Sequence, residues 1–543
     1  MLPRRSIALA AAALAVAAGC FERGKRRPAH DDAASARAGD AGAGAGVGVG
    51  AGAALDRGWL AADPSGAPDD AAIVRVALET EPATLDPFAS IDAVSARVLG
   101  DVTTGLLCTV DGEPRACLSA TAGDDSRRWR LALRPGLRFH DGRPVTATDA
   151  RASLLAAAGK AGKDGHPAGP LAASLDDLRA VTVDGDAVVL DFDHDRCWRS
   201  RALDVALVPL VPADELTSPA LASAPVGAGP YRIAGWRRGE AIELARADGA
   251  TPRAPAAGIR FRVTADRAEA LRLLAAGQLD VVYQVPIAEA VAFTHEHPSV
   301  ARFRYEQPAF LAAVYNARRP ALAEPAHRRA LTALLDRTGV AAAILGGART
   351  TTGPGMPGDA GYDATVAPIP FSAELARRLL GDARPSAELL VPTESPSAAR
   401  IADIWASDAR GVATLRVVSL PYAQVLARLA AGDFDVAITS MSGGPDVDLW
   451  SRFASDAPPD QAWSGLHDAA LDRLLAAARG ACSDGERAAA ARALHRRLDE
   501  LQPMAFIAVD TRAGLASPRV GGLVGHRGPP PIRGLWMTAR AGT

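Results

Sequence analysis

The alternation of apolar and polar positions becomes regular at about residue 71. "IVRVAL" (Ile73–Leu78) alternates as a half-buried strand does, and "TLDPF" breaks it. "DAVSARVLGDVTTGLL" then places Val94, Val98, Leu99 and Val102 on one helical face. "WRLALRPGLRFHDG" predicts two short strands joined at Pro135–Gly136, and "VVLDF" and "GIRFRV" predict two more. "GPYRIAGWRRGEAIELARA" reads as a hairpin turning at Arg237–Gly239. "DRAEALRLLAAG" is an amphipathic helix ending at Gly277, with the strand "LDVVYQV" after it.

One internal echo stands out. "AAGQLDVVY" (Ala275–Tyr283) returns as "AAGDFDVAI" (Ala430–Ile438), behind the amphipathic helices "AEALRLL" and "AQVLARL". Each unit ends a helix with glycine and enters a buried strand. The pattern predicts a body of two α/β lobes.

Before residue 71 the pattern is different. Arg4 and Arg5 precede an apolar run, Ile7–Ala18, too short for a comfortable membrane span. "AAGC" follows, so residues 1–20 read as a lipoprotein signal peptide with Cys20 as the lipidated residue. An ordinary secretory signal cut near Ala18 is the alternative. Residues 21–70 read as a Gly/Ala-rich disordered tether with a root-mean-square reach of about 40 Å. Its opening "FERGKRRP" suits anionic headgroups, or is simply a solvated charge run. No later run of 18 or more apolar residues occurs. Export implies an oxidising compartment. Cys108 and Cys117 flank "TVDGEPRA", whose Asp-Gly turn signal could bring the two thiols together as a disulfide. Cys197 and Cys482 are too far apart in sequence to pair by inspection.

Composition narrows the function. The chain has 543 residues, 48% hydrophobic and 22% charged, with a net charge of −2. That is an ordinary globular balance with no field favouring nucleic acid. GxSxG, HExxH and a complete P-loop are absent, and "GKAGKDG" lacks the Ser/Thr that would bind magnesium. "DFDHDRC" (Asp191–Cys197) and "HEH" (His295–His297) lack spacing that closes a tetrahedral metal site. The reading is therefore no enzyme, no metal and no cofactor. "RFHDGRPVTATDA" (Arg138–Ala150) looks like a His–Asp dyad, but each residue has a local task. Asp141–Gly142 makes a turn, Pro144 stiffens the exit, and Thr146 or Thr148 caps a helix beginning near Asp149.

The order of the motifs resembles a known family. "TLDPF", "TTGLLCTVDGEPRACLSA", "WRLALRPGLRFHDGRPVTATDA", "GAGPYRIAGWRRGEAIELAR", "ALRLLAAGQLDVV" and "VYNARRPALAEPAHRRALTALLDRTGV" are followed by "LARLAAGDFDVAIT", a helical stretch ending in "LQPMAFIAV", and "LASPRVGGLVG". They are similar to the extracellular solute-binding proteins of family 5, the peptide- and nickel-binding proteins of ABC importers. The resemblance implies a two-lobed α/β fold like that of type II periplasmic binding proteins, with an extra domain. Lobe I would comprise residues 71–108, 227–314 and 511–543, the extra domain 109–226, and lobe II 315–510. It implies a monomeric receptor, anchored by Cys20 at the periplasmic or outer cell surface. The receptor would capture a peptide or similar small solute and deliver it to two permease subunits with their ATPases. A transport-independent sensor or surface interaction module with the same fold is the alternative.

The resemblance also points to ligand-contacting stretches. These are Ile91–Asp92–Ala93, the strand Thr439–Ser440–Met441–Ser442, and an aromatic at Tyr422. The family's acidic amine anchor falls on Gly444 here, leaving Asp446, or next Asp448, as the candidate. Trp450 reads as lobe core rather than cleft lining.

Overall fold

The computed structural model describes residues 59–539, apart from 91, 111–112, 116–119, 122–126, 163–164, 194–204, 251–252, 444–448, 525 and 527. The strands in chain order begin with β1 (Ile73–Leu78), β2 (Cys108–Val110), β3 (Glu113–Arg115), β4 (Ala120–Thr121), β5 (Arg128–Leu133), β6 (Leu178–Asp184) and β7 (Ala187–Phe192). They continue with β8 (Tyr231–Arg237), β9 (Ala241–Arg246), β10 (Gly258–Val263), β11 (Val281–Val285) and β12 (Ala301–Tyr315). Last come β13 (Ser386–Pro392), β14 (Thr414–Leu420), β15 (Val436–Ser442), β16 (Met504–Ala516) and the short pair β17 (Val520–Gly521) and β18 (Trp536–Met537).

Ten strands form one mixed sheet in the order β14-β13-β15-β12-β16-β11-β1-β10-β9-β8. The long strands β12 and β16 run antiparallel through its middle, from Ala301 opposite Ala516 to Val314 opposite Met504. They join a half built on β11, β1, β10, β9 and β8 to a half built on β15, β13 and β14. Both faces of the second half are covered. Tyr315, Leu389, Trp405 and Ile438 pack on one face; Phe310, Leu390, Phe434, Ala437 and Phe506 pack on the other. Burial on both faces is why "DVAI" and "ELLV" read as continuous apolar runs rather than alternations. In the first half, Val76, Phe261, Tyr283 and Phe303 fill one face, and Leu271, Leu274, Val282 and Leu515 the other. A separate antiparallel sheet, β4-β5-β7-β6, packs Trp129, Leu131 and Leu190 around the helix Ala147–Ala157.

The sequence echo is a repeated piece of structure. The helices Arg267–Ala275 and Tyr422–Ala431 both end at a left-handed glycine, Gly277 (φ 66°) and Gly432 (φ 67°). The next amide reaches back five residues in each, from Gln278 to Leu273 and from Asp433 to Arg428. The aspartate before each strand then clasps the neighbouring parallel strand. Asp280 accepts the Arg75 N–H at 2.8 Å, and Asp435 accepts the Glu388 N–H at 2.8 Å. An arginine neutralises each carboxylate, Arg75 at 2.7 Å and Arg319 at 3.0 Å. Registers Val76–Val281 and Leu389–Val436 follow from these clasps.

Four expectations are corrected. The attached chain begins at Trp59, not near residue 71. The Leu60 N–H donates to Arg302 O at 2.8 Å, and the Trp59 ring lies 5.3 Å from the Arg302 guanidinium. Asp63 accepts the Gly522 and Leu523 amides, so residues 59–70 are a strap on the first half rather than tether. "LRF" forms no second strand beyond an isolated Arg138–Pro144 bridge, because Asp141–Gly142 turns the chain at once. The first helix stops at Leu99, and Val102 is buried from a turn beyond it. The helix expected near Asp149 starts at Ala147, and Thr146 caps it reciprocally with Asp149.

His140 acts over long range. Its Nε2 donates to Gly229 O at 3.0 Å, while its Nδ1 accepts the Gly227 N–H at 3.3 Å. The ring therefore clips the extra sheet's turn to the chain entering β8. Burial holds its pKa below the ordinary histidine value, consistent with a neutral structural ring. Asp141 is occupied by Arg143, which also pairs with Asp214. The β2–β3 hairpin forms, with Val110 opposite Glu113. Cys117 lies outside the described residues, as do Cys20 and Cys197; Cys482 is disulfide-bonded.

Candidate ligand-binding cleft

The site follows from strand direction. β13 runs parallel to both β14 and β15, and β15 brings Ser442 opposite Ala309 in the middle of β12. The C-terminal ends of β13, β14 and β15 therefore point at the junction of the two halves. In the other half β1 is parallel to β10 and β11, and β11 meets β16 with Val285 opposite Ala513. Their C-terminal ends reach the same junction from the opposite side. Loops at the C-terminal ends of parallel strands are where open α/β sheets hold ligands.

The junction itself is irregular. Glu306 pairs with Thr511 and Phe310 with Val509, so β12 spends four residues where β16 spends two. Pro308 lies in the excess and has no N–H for the ladder. Such a bulge bends and twists a strand pair. Arg349 braces it, giving Nε at 2.8 Å and Nη2 at 2.5 Å to Glu306, while its carbonyl accepts the Val509 N–H.

β15 presents an edge to this junction. β12 pairs with it from Val436 to Ser442, whereas β13 covers only Val436 and Ala437. Beyond Ala437 no strand covers Ile438–Met441 on that side among the described residues. Thr439 and Met441 turn into the core, at 3% and 4% exposure, and Ser440 is exposed. Met441 packs beside Phe310, so its main chain rather than its side chain is available to a ligand. The Ser440 hydroxyl donates to Asp510 Oδ2 at 3.2 Å.

The other expected residues have varied local tasks. Tyr422 is the first residue of its helix, exposed at the C-terminal end of β14; its N–H donates to Glu394 Oε2 at 2.9 Å. Asp92 caps the helix Ala93–Leu99, accepting the Ser95 N–H and hydroxyl. On that helix Arg97 pairs with Glu79 at 2.9 Å and lies 5.2 Å from the Tyr283 ring. Burial opposes the Arg97 charge, and Glu79 with Tyr305 and Tyr283 more than offsets this, so its pKa stands above the ordinary value. Burial pushes Tyr305, beside it, up to about 12. Ile91, Gly444, Asp446 and Asp448 lie outside the described residues. Gly443 is described, and a Cβ there would stand 2.5 Å from Pro354 O and 2.7 Å from Phe310. Trp450 packs against the core with Phe434 and Phe453, and the Arg479 guanidinium lies 4.6 Å from its ring.

The sequence reading passes over Glu306, Arg349, Asp510 and Arg512. The available signal was "VDTRAG", two charges two apart that share one face of an otherwise apolar strand.

Known proteins share this fold. The model for the middle region of the bacterial extracellular solute-binding proteins, family 5, matches residues 113–459. The chain belongs to this family. A relative is the probable di/tripeptide-binding protein 5 of Pseudomonas aeruginosa, 25% identical over 468 residues, covering 77% of this chain and 87% of that protein. The oligopeptide-binding protein AppA of Bacillus subtilis, solved with a nonapeptide, superposes with a TM-score of 0.71 at 18% identity. It covers 87% of this chain and 100% of its own. HbpA2 of Haemophilus parasuis superposes with a TM-score of 0.75 at 20% identity over 86% of this chain and 100% of its own. The fold is therefore the two-lobed type II fold of family 5. The chain is a binding protein of the ABC-importer class and not an enzyme.

Proposed function

We propose that this family 5 protein is a lipid-anchored receptor that captures a peptide or similar small solute between its lobes and delivers it to an ABC permease. Lobe I corresponds to the first half of the sheet, lobe II to the second, and the four-stranded sheet to the extra domain. The observation that carries the reading is the uncovered edge of β15 beside the bulged crossing strands. An extended chain laid there gains main-chain hydrogen bonds independent of its sequence, and the two lobes can close over it about the bulge. Ile91–Ala93, Tyr422 and Thr439–Ser442 would line the cleft, with Asp446 beside them. Cys20 would carry the lipid, the segment up to residue 58 would be the tether, and Cys108 and Cys117 would be bridged. No helix among the described residues is long and apolar enough to cross a membrane.

Thermal melts of the protein with tripeptides, single amino acids and nickel–histidine test the reading. One class should raise the melting temperature by several degrees, since ligand at 100 times Kd adds about 2.7 kcal/mol. No shift with any class contradicts the receptor assignment.

A further inference from the structure

Asp510 and Arg512 stand two residues apart on β16, where this strand crosses between the lobes. Arg512 gives its Nε to Asp510 Oδ1 at 2.7 Å and its Nη2 to Asp510 Oδ2 at 2.9 Å. That is one complete edge of the guanidinium fork. Asp510 is fixed in turn by the Ser440 hydroxyl on the β15 edge, and its side chain is only 15% exposed. Arg512 differs: its side chain is 44% exposed. Of its five N–H groups, Asp510 uses two, and no other partner holds the remaining three among the described residues. Arg512 sits opposite Tyr305, on the face where Tyr283 and Arg97 pack. Burial opposes its charge, and Asp510 with Tyr305 more than offsets this, so its pKa is raised. A solvated surface pair would place both partners in water; here the carboxylate is enclosed and the cation's outer edge is presented. On lobe II the described loop position Gly443 cannot carry a side chain without displacing Pro354 or Phe310.

Resting on the receptor reading, we propose that the outer edge of Arg512, held in place by Asp510 and Ser440, binds the carboxylate of the captured solute. A carboxylate matches the two parallel donors of that edge. The ligand class is an acid: a peptide with a free C-terminus or another carboxylate-bearing solute, oriented with its acid at the crossing strands.

Calorimetric titration of the wild type and Arg512→Gln with trialanine and trialanine amide tests the assignment. The wild type should bind the acid at least ten-fold more tightly than the amide. Arg512→Gln should bind both alike, at the wild-type amide affinity, and Arg512→Lys should restore part of the preference. A general loss of structure would weaken acid and amide together and so would not give this pattern. Equal binding of acid and amide by the wild type, or an undiminished preference in Arg512→Gln, overturns the proposal. If neither peptide binds, the peptide reading fails and solutes retained through parallel purifications, identified by mass spectrometry, decide the role of Arg512. A carboxylate-bearing solute abundant in wild type and depleted in Arg512→Gln upholds it. A retained solute without an acid group, or one kept equally by both, overturns it.

Discussion

Arg328→Ala is expected to destabilise the protein by about 4 kcal/mol and to lower its melting temperature by about 4 °C. Arg328 is 1% exposed, yet no carboxylate pairs with it among the described residues. Its charge is met by carbonyls instead. Nη1 donates to Leu322 O at 2.6 Å and Ala323 O at 2.7 Å; Nε donates to Gln502 O at 2.9 Å, and Nη2 to Leu501 O at 2.5 Å. Leu501 and Gln502 end the helix Asp484–Leu501, whose dipole favours a cation there, and Gln502 takes a left-handed conformation (φ 47°). Alanine would leave four carbonyls without their donor, each costing about 1–3 kcal/mol less whatever water recovers. Burial holds the Arg328 pKa below its ordinary value, yet a guanidinium carries its charge at neutral pH. Arg328→Lys should recover less than half of the loss, because an ammonium cannot span both carbonyl pairs. Urea unfolding monitored by circular dichroism gives the measurement, and a loss under about 1 kcal/mol would contradict this account.

Gly169→Ala is expected to cost about 3 kcal/mol and to loosen the extra domain from the "LDPF" turn. A Cβ at Gly169 would lie 1.8 Å from Phe88 O, so one backbone must move. Beside this approach, His166 Nε2 lies 2.7 Å from Asp86 Oδ2 and the Phe88 and His166 rings lie 5.1 Å apart. Since the turn leads directly into the loop before Asp92, its displacement should also weaken solute binding. Gly136→Ala is the control. That position has a positive φ of 83° but open space, so it should cost only about 1 kcal/mol. Calorimetric melts of the two variants separate the effects; equal losses would show that the Phe88 contact is not rigid.

Much of the fold was legible because its signals are local. Gly277 and Gly432 terminate helices by backbone conformation alone, and the strands that follow are apolar on both faces. The echo announced two lobes, and the order of motifs announced the family. The cleft was less legible because it depends on register. Nothing in "AVYNAR" or "DVAITSM" says that β13 stops covering β15 at Ala437, or that β12 inserts a bulge at Pro308. The role of His140 also escaped local reading, since its partners Gly227 and Gly229 lie far along the chain. Asp510 and Arg512 are ordinary strand charges in the sequence, and only the crossing of β16 between the halves of the sheet gives them a place at the junction. Trp59 belonged compositionally to the tether, and only the arginines of β12 show why the chain attaches there.

On the proposed reading, a solute lies along the β15 edge with its acid at Arg512. Hydrogen–deuterium exchange, with and without the tightest-binding solute found in the melts, tests it most directly. Protection should concentrate in Ile438–Ser442, the Asp92 loop and Asp510–Arg512, with smaller changes at the Glu306–Phe310 bulge. Saturating solute that leaves Ile438–Ser442 exchanging as in the free protein, while protecting a surface elsewhere, would contradict the account.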